Sequence, residues 1–180
     1  EGTRFESLKL KIRDRNISVA GLCEAGNLNS KTISDKYTIP DYHTPMYHPG
    51  GRGLMIYVKS DLICIPKPEF NTENSLWVNV KLKNTSVLYG VHYRSPSMNA
   101  IQEAAYFEEF KENLKLASKF KCDYLIINGD FNCKNKKWWN EGTTDSKGAK
   151  LDTILTELNL FQLVKEPTRI TRNSRTCIDL

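Results

Sequence analysis

The chain has 180 residues, 39% hydrophobic and 26% charged, which suits one domain with a sizeable buried core and excludes a disordered or membrane-like protein. No apolar run approaches the length of a bilayer span and no signal-like apolar block opens the sequence, so a soluble, intracellular domain with no membrane partner is expected. The net charge of +5 favours a polyanionic partner such as nucleic acid. Five cysteines (Cys23, Cys64, Cys122, Cys133 and Cys177) are odd in number, scattered, and without zinc-type spacing; free thiols in a reducing compartment follow.

Phe5, Leu8 and Ile12 recur at helical spacing among charges, predicting an amphipathic helix over 4–14. Residues 17–23 follow as a buried strand, with Glu24 at its carboxyl end before the turn-forming Ala25, Gly26 and Asn27. A carboxylate there is either the first solvated residue after a strand or a poised ligand. Gly50, Gly51, Arg52 and Gly53 lead into a strand over 54–58. They lack the following helix that a phosphate-cradling loop requires, and Arg52 reads as a solvated loop residue or a phosphate contact. His43 and His48 fall in a Pro-rich loop without ligand spacing.

Alternation at Leu76, Val78, Val80 and Leu82, then a run to Tyr93, predicts a hairpin turning at 83–85. Pro96 ends the ladder and leaves Tyr93 and Arg94 at the sheet rim, with His92 a structural residue inside the strand. Ile101, Ala104, Phe107, Phe110, Leu114 and Ala117 trace one stripe of a helix of about five turns. Glu103, Glu108, Glu109 and Glu112 are read as its solvated face.

The central stretch is Tyr124 to Asn132. A continuous apolar run reads as a buried strand, and Gly129 frees the backbone to deliver Asp130 and Asn132 to the rim, where loop residues serve ligands more often than the core. Lys134, Lys136 and Lys137 interleaved with Trp138 and Trp139 either clamp phosphates and stack on bases, or plug the domain surface. A helix over 147–158 and a short strand over 161–164 come next. Thr168, Arg169, Thr171, Arg172 and the 173–175 stretch supply hydroxyl and basic groups suited to backbone phosphates. Residues 176–180 read as a strand, and the missing Met together with this apolar ending suggests part of a longer reading frame.

A Glu, a Tyr-Arg, a Gly-Asp-Phe-Asn and an Ile-Asp thus stand at four successive strand rims. In this order they resemble the endonuclease/exonuclease/phosphatase superfamily, which includes deoxyribonuclease I, and within it the endonuclease domains of non-LTR retrotransposons. Lys59, Tyr93-Arg94-Ser95-Pro96, Glu166-Pro167-Thr168-Arg169 and Ile178-Asp179-Leu180 carry the closer likeness. The resemblance implies a single domain over 1–180 with two packed mixed β-sheets and helices on the outer faces, a four-layer α/β sandwich truncated at both edges. An early Asn-bearing strand and a downstream Ser-Asp-His would complete it.

The resemblance further implies a monomeric, Mg²⁺-dependent endonuclease, with Mn²⁺ as an alternative. The full-length parent would nick DNA in the nucleus to leave a 3′-hydroxyl for a reverse-transcriptase domain of the same polyprotein, with this fragment alone impaired. By that likeness Glu24 holds the metal and Asp130 orients or deprotonates the attacking water. Asn132 holds the phosphate, Tyr93 donates to its developing charge, and Asp179 orients a histidine. Arg94, Lys137, Trp138, Thr168 and Arg169 would contact nucleic acid. The alternatives are a phosphomonoesterase of the same fold and an inactive relic that only binds DNA.

Overall fold

The computed structural model describes residues 2–139, 142–172 and 175–180; Asn173 and Ser174, within the basic stretch noted above, lie outside the described residues. The elements in order are α1 (Gly2–Asp14), β1 (Val19–Leu22), α2 (Ser30–Lys36), β2 (Met46–His48), β3 (Leu54–Val58) and β4 (Ile63–Pro66). A 3-10 turn (Pro68–Phe70), β5 (Ser75–Leu82), β6 (Thr85–Tyr93), α3 (Ala100–Ser118) and β7 (Tyr124–Asp130) follow, then α4 (Ser146–Glu157) and the short β8 (Arg169–Ile170) and β9 (Arg175–Thr176).

Two sheets face each other. One has the order β1-β3-β2 with antiparallel pairs; the other has the order β4-β5-β6-β7 and is mixed, since β6 and β7 run parallel while the other pairs are antiparallel. Strand alternation assigns every face. Along β3, Leu54, Ile56 and Val58 point inward against Val78 and Val80 of β5 and Tyr89 and Val91 of β6. Met55 and Tyr57 point outward against Ile12 of α1 and Ile33 of α2. On the far side of the second sheet, Trp77 and Leu88 meet Phe107, Phe110 and Leu114 of α3 and Leu151 of α4. The order helix, sheet, sheet, helix is the four-layer α/β sandwich, and each fully buried side chain of this kind contributes about 1.5–3 kcal/mol.

Two of the polar groups drawn into these layers pair with each other, while the Tyr106 hydroxyl and His92 Nε2 are buried with no hydrogen-bond partner among the described residues. Trp77 Nε1 donates to Asn113 Oδ1 at 3.1 Å, and Asn113 Nδ2 donates to the Phe70 carbonyl at 2.7 Å. The helix α3 starts in a capping box, in which Asn99 accepts from Gln102 N–H and Gln102 accepts from Asn99 N–H.

Several sequence expectations change. The stripe of α3 begins at Tyr106, because Ile101 is 83% exposed and Ala104 is exposed as well. Glu103 turns inward instead of into solvent, drawn by a buried cation described below. The strand β7 is not buried on both faces: Leu125 and Ile127 pack under the helices while Tyr124 and Ile126 are exposed. It is the last strand of its sheet, so a continuous apolar run here reports composition without coverage. Residues 161–164 form no strand, since no described neighbour pairs with them and Phe161 and Leu163 are exposed. His48 lies in β2, paired with Leu54 of β3.

Candidate active site at the strand ends

Parallel pairing brings the carboxyl ends of β6 and β7 to one rim, with Tyr93 opposite Asp130 in register. The carboxyl end of β1, in the facing sheet, delivers Glu24 to the same rim, and Tyr93 donates its phenolic O–H to Glu24 Oε1 at 2.7 Å across the gap. Gly129 permits the close approach of the two parallel strands: a Cβ there would lie 1.8 Å from the His92 carbonyl oxygen. Its N–H and C=O exchange hydrogen bonds with Leu180 at 2.9 and 3.0 Å, and Phe131 N–H donates to the Ile178 carbonyl at 3.0 Å. The bridge so formed sets Asp179 beside Asp130.

The turn after Asp130 is built from its own side chains. Asp130 Oδ1 accepts from Asn132 N–H at 3.0 Å. Asn132 adopts φ 48°, a left-handed conformation that Asn tolerates better than most residues, and its Nδ2 donates to the Arg94 carbonyl at 2.9 Å. Arg94 N–H donates to the Asp130 carbonyl at 2.9 Å. Glu24, Tyr93, Asp130, Asn132 and Asp179 are therefore brought together.

The expected nucleic-acid contacts fare differently. Arg94 is fully buried, so it is no surface contact; its Nη2 donates to Glu103 at 2.9 Å and its Nη1 to the carbonyls of Phe131 and Asn132 at 3.5 and 3.4 Å. Glu103 is also approached by Lys147 at 3.6 Å and Lys150 at 3.7 Å. Sequence reasoning missed this hub because Glu103, one acid among Glu108, Glu109 and Glu112, reads as part of a solvated helix face. Trp138 is a core residue packed with Phe131 and Leu151, which removes it as a stacking platform. Lys137 stays exposed and pairs with Asp152. Thr168 Oγ1 accepts from the N–H groups of Ile178 and Asp179, each at 3.1 Å, so it fastens the segment carrying Asp179. Arg169 is exposed in β8.

The electrostatics follow from crowding acids into a partly dry rim. Burial raises the Asp130 carboxyl above its ordinary range, Asp179 and Glu24 add to that, and the Asn132 N–H opposes it. Burial first, then Glu24, pushes the Tyr93 phenol up to about 12, so it is a neutral donor. Cys23 donates to the His92 carbonyl at 3.3 Å, and burial pushes its thiol up to about 11. All five cysteines are unpaired.

Beneath the rim His92 is buried in an aromatic box, with its ring 5.2 Å from Trp77, 4.9 Å from Phe110 and stacked 6.1 Å from Phe131. Burial pushes its pKa down to about 3. The unfolded imidazole takes up a proton near its ordinary pKa and the folded one far lower, so stability present above the unfolded pKa drains away as pH falls toward the folded value. His92→Phe, which keeps the ring volume, is expected to lower the pH midpoint of acid unfolding; an unchanged or higher midpoint would contradict the assignment.

Whether the rim suits a divalent cation is a matter of donor chemistry. Among the described residues no three His, Cys, Asp or Glu side chains converge closely enough to hold an ion alone. The rim offers carboxylates whose mutual repulsion a cation would relieve. That combination fits Mg²⁺, which prefers oxygen, keeps several waters and is commonly held by one or two carboxylates plus substrate phosphate. A separate cleft of about 440 Å³, lined by Arg13, Asp14, Asp41 and Lys59 among others, lies at the opposite end of β1 and β3 from Glu24.

A sequence profile of the endonuclease-reverse transcriptase family matches residues 88–180, and no curated protein matches the chain. Among solved structures, the endonuclease domain of TRAS1, a telomere-specific non-LTR retrotransposon, superposes with a TM-score of 0.71 at 21% identity, covering 96% of this chain and 74% of that one. TDP2 from D. rerio complexed with single strand DNA product gives 0.58 at 12% identity, with 98% and 74% covered. A mannosyl-6-phosphatase from Bacteroides thetaiotaomicron gives 0.57 at 12%, with 84% and 62% covered. The chain spans 60% of the length of some matching structures and 79% of another. At these identities the likeness establishes the fold.

Proposed function

Since the chain belongs to the endonuclease-reverse transcriptase family, we propose that it hydrolyses phosphodiester bonds of DNA with a divalent metal, leaving a nick with a 3′-hydroxyl. The observation that carries this reading is the meeting, at one rim, of Glu24 and Tyr93 from facing sheets with the Asp130, Asn132 and Asp179 cluster. In the parent polyprotein the 3′-hydroxyl would prime a reverse-transcriptase domain, and action on genomic DNA would place the protein in the nucleus.

Glu24, with the neighbouring acids, would hold Mg²⁺ or Mn²⁺. A bound ion supplies charge neutralisation at the phosphate and leaving oxygens. The chain's own groups do the rest. Asp130, its carboxyl raised by burial, accepts the proton of the attacking water; a base poised in this way typically contributes 10²–10⁴-fold. Tyr93, kept protonated, donates to a non-bridging oxygen as its charge grows, and the second N–H of Asn132 Nδ2 holds another. Asp179 keeps the acidic field around Asp130 and can accept a ring N–H from a histidine.

Substrate class is tested by offering the purified chain supercoiled plasmid and, separately, p-nitrophenyl phosphate with Mg²⁺. Conversion of plasmid to the open circle, with ends extendable by a polymerase and little monoester turnover, is expected. Monoester turnover without nicking would support a phosphomonoesterase, and salt-sensitive DNA binding without either reaction a DNA-binding relic.

A further inference from the structure

We propose that Arg52 is a phosphate-binding residue of this rim, trading the Glu24 carboxylate for a backbone phosphate oxygen when nucleic acid docks; this rests on the phosphodiesterase reading above. Arg52 Nη1 lies 3.1 Å from Glu24 Oε1, the oxygen that also accepts the Tyr93 hydroxyl. Among the described residues it is the cation paired with a carboxylate of the site, whereas Arg94 nearby is buried and committed to Glu103 and to the loop carbonyls. The Arg52 side chain is 63% exposed. A phosphodiester within reach of Tyr93 and Asp130 therefore lies within reach of its guanidinium, whose paired N–H groups match two phosphate oxygens.

The backbone strengthens the case. Arg52 has φ 60°, between Gly51 at 57° and Gly53 at 91°. The loop is clamped to the turn that carries Glu24: Ala25 N–H donates to the Gly53 carbonyl at 2.8 Å and Gly26 N–H to the Arg52 carbonyl at 2.9 Å. A Cβ on Gly53 would lie 2.3 Å from the Gly26 carbonyl oxygen. A left-handed position in a glycine loop is most relaxed as glycine, and a long cation is placed there instead. Local strain at a site rim is a pointer to function. The pair with Glu24 is half-exposed and therefore weak, so releasing it opposes the exchange little.

Arg52→Gly and Arg52→Lys test this in the full chain. Three quantities are measured: thermal midpoint in EDTA, affinity for a short DNA duplex in EDTA across a salt series, and affinity for inorganic phosphate. Arg52→Gly is expected to melt no lower than wild type and to bind duplex about tenfold more weakly. Its salt slope should fall by about one, with Arg52→Lys between the two. A structural residue would lose stability along with binding. Unchanged duplex affinity with an unchanged salt slope overturns the proposal and leaves the nuclease reading standing. Should wild type bind phosphate but no DNA, and Arg52→Gly lose the phosphate, Arg52 keeps its role while the nuclease reading falls. Wild type binding neither overturns both.

Discussion

Asp130→Asn is expected to lower DNA nicking by about 10³-fold while raising the thermal stability of the metal-free protein at neutral pH. The rate loss follows from removing the proposed base, an effect of 10²–10⁴-fold in comparable sites. The stability gain follows from linkage. Asp130 has a folded-state pKa raised above its unfolded value by burial and by Asp179. Its contribution is therefore most favourable below the unfolded pKa and is lost as pH rises through the folded one, so at neutral pH the ionised carboxylate opposes folding. Asparagine keeps an oxygen for the Asn132 N–H and carries no charge. The excess in melting temperature should shrink as pH falls below the carboxylate range, where wild type is itself neutral. Melting curves in EDTA across pH, beside nicking rates in Mg²⁺, check both halves. A variant less stable at neutral pH would show that Asp130 is a structural ion.

Arg94→Ala is expected to destabilise the domain by about 3–5 kcal/mol, the usual effect of removing one partner of a buried pair. Arg94 is fully buried, Glu103 is 13% exposed, and the guanidinium also caps the carbonyls of Phe131 and Asn132. Truncation strips two carbonyls of the Asp130 to Asn132 turn of their donor, so activity should fall with stability. Glu103→Gln separates these effects: it preserves volume and hydrogen bonding while removing the anion, and Lys147 and Lys150 then face a neutral amide. Urea unfolding reports the difference. A change within about 0.5 kcal/mol for Arg94→Ala would match a surface residue and contradict the burial.

The legible part of the fold was what repeats along the chain. Val78 and Val80 alternate with Trp77 and Asn79, and that period revealed the β5 and β6 hairpin. Gly129 followed by Asp130 and, two residues further, Asn132 marked the rim, because a turn needs a residue that lets backbones approach. Other features depend on tertiary coverage. Nothing local distinguishes Ile126, exposed, from Ile127, packed under helices. The seven-residue α2 escaped notice because it contains one buried apolar residue, Ile33, although Asn29 caps it by accepting from Thr32 N–H. The short β2 and β4 have too few residues to establish a period.

The site was legible in its carboxylates and less so in its cations. Glu24 and Asp130 stand where strands end, a sequence-visible place, whereas Asp179 lies past the end of β9 in an isolated bridge to Asp130, where the sequence predicts a strand over 176–180. Arg94 stands at such an end too, yet the first turn of α3 folds back and buries it against Glu103. Trp138 lies among lysines in a loop, and the core beneath Phe131 takes it in. For both, the partner is decided by how the chain folds back beyond the local turn, onto α3 for Arg94 and onto α4 for Trp138. Thr168 belongs with them, since its hydroxyl is occupied by the backbone of Asp179.

The most direct test is plasmid nicking by wild type, Glu24→Gln and Asp130→Asn, compared at equal Mg²⁺ and with melting curves confirming that all three fold. Wild type should nick, EDTA should stop it, and both variants should lose the activity while remaining folded. Nicking at the wild-type rate by both variants would place the chemistry elsewhere on the molecule and contradict the account.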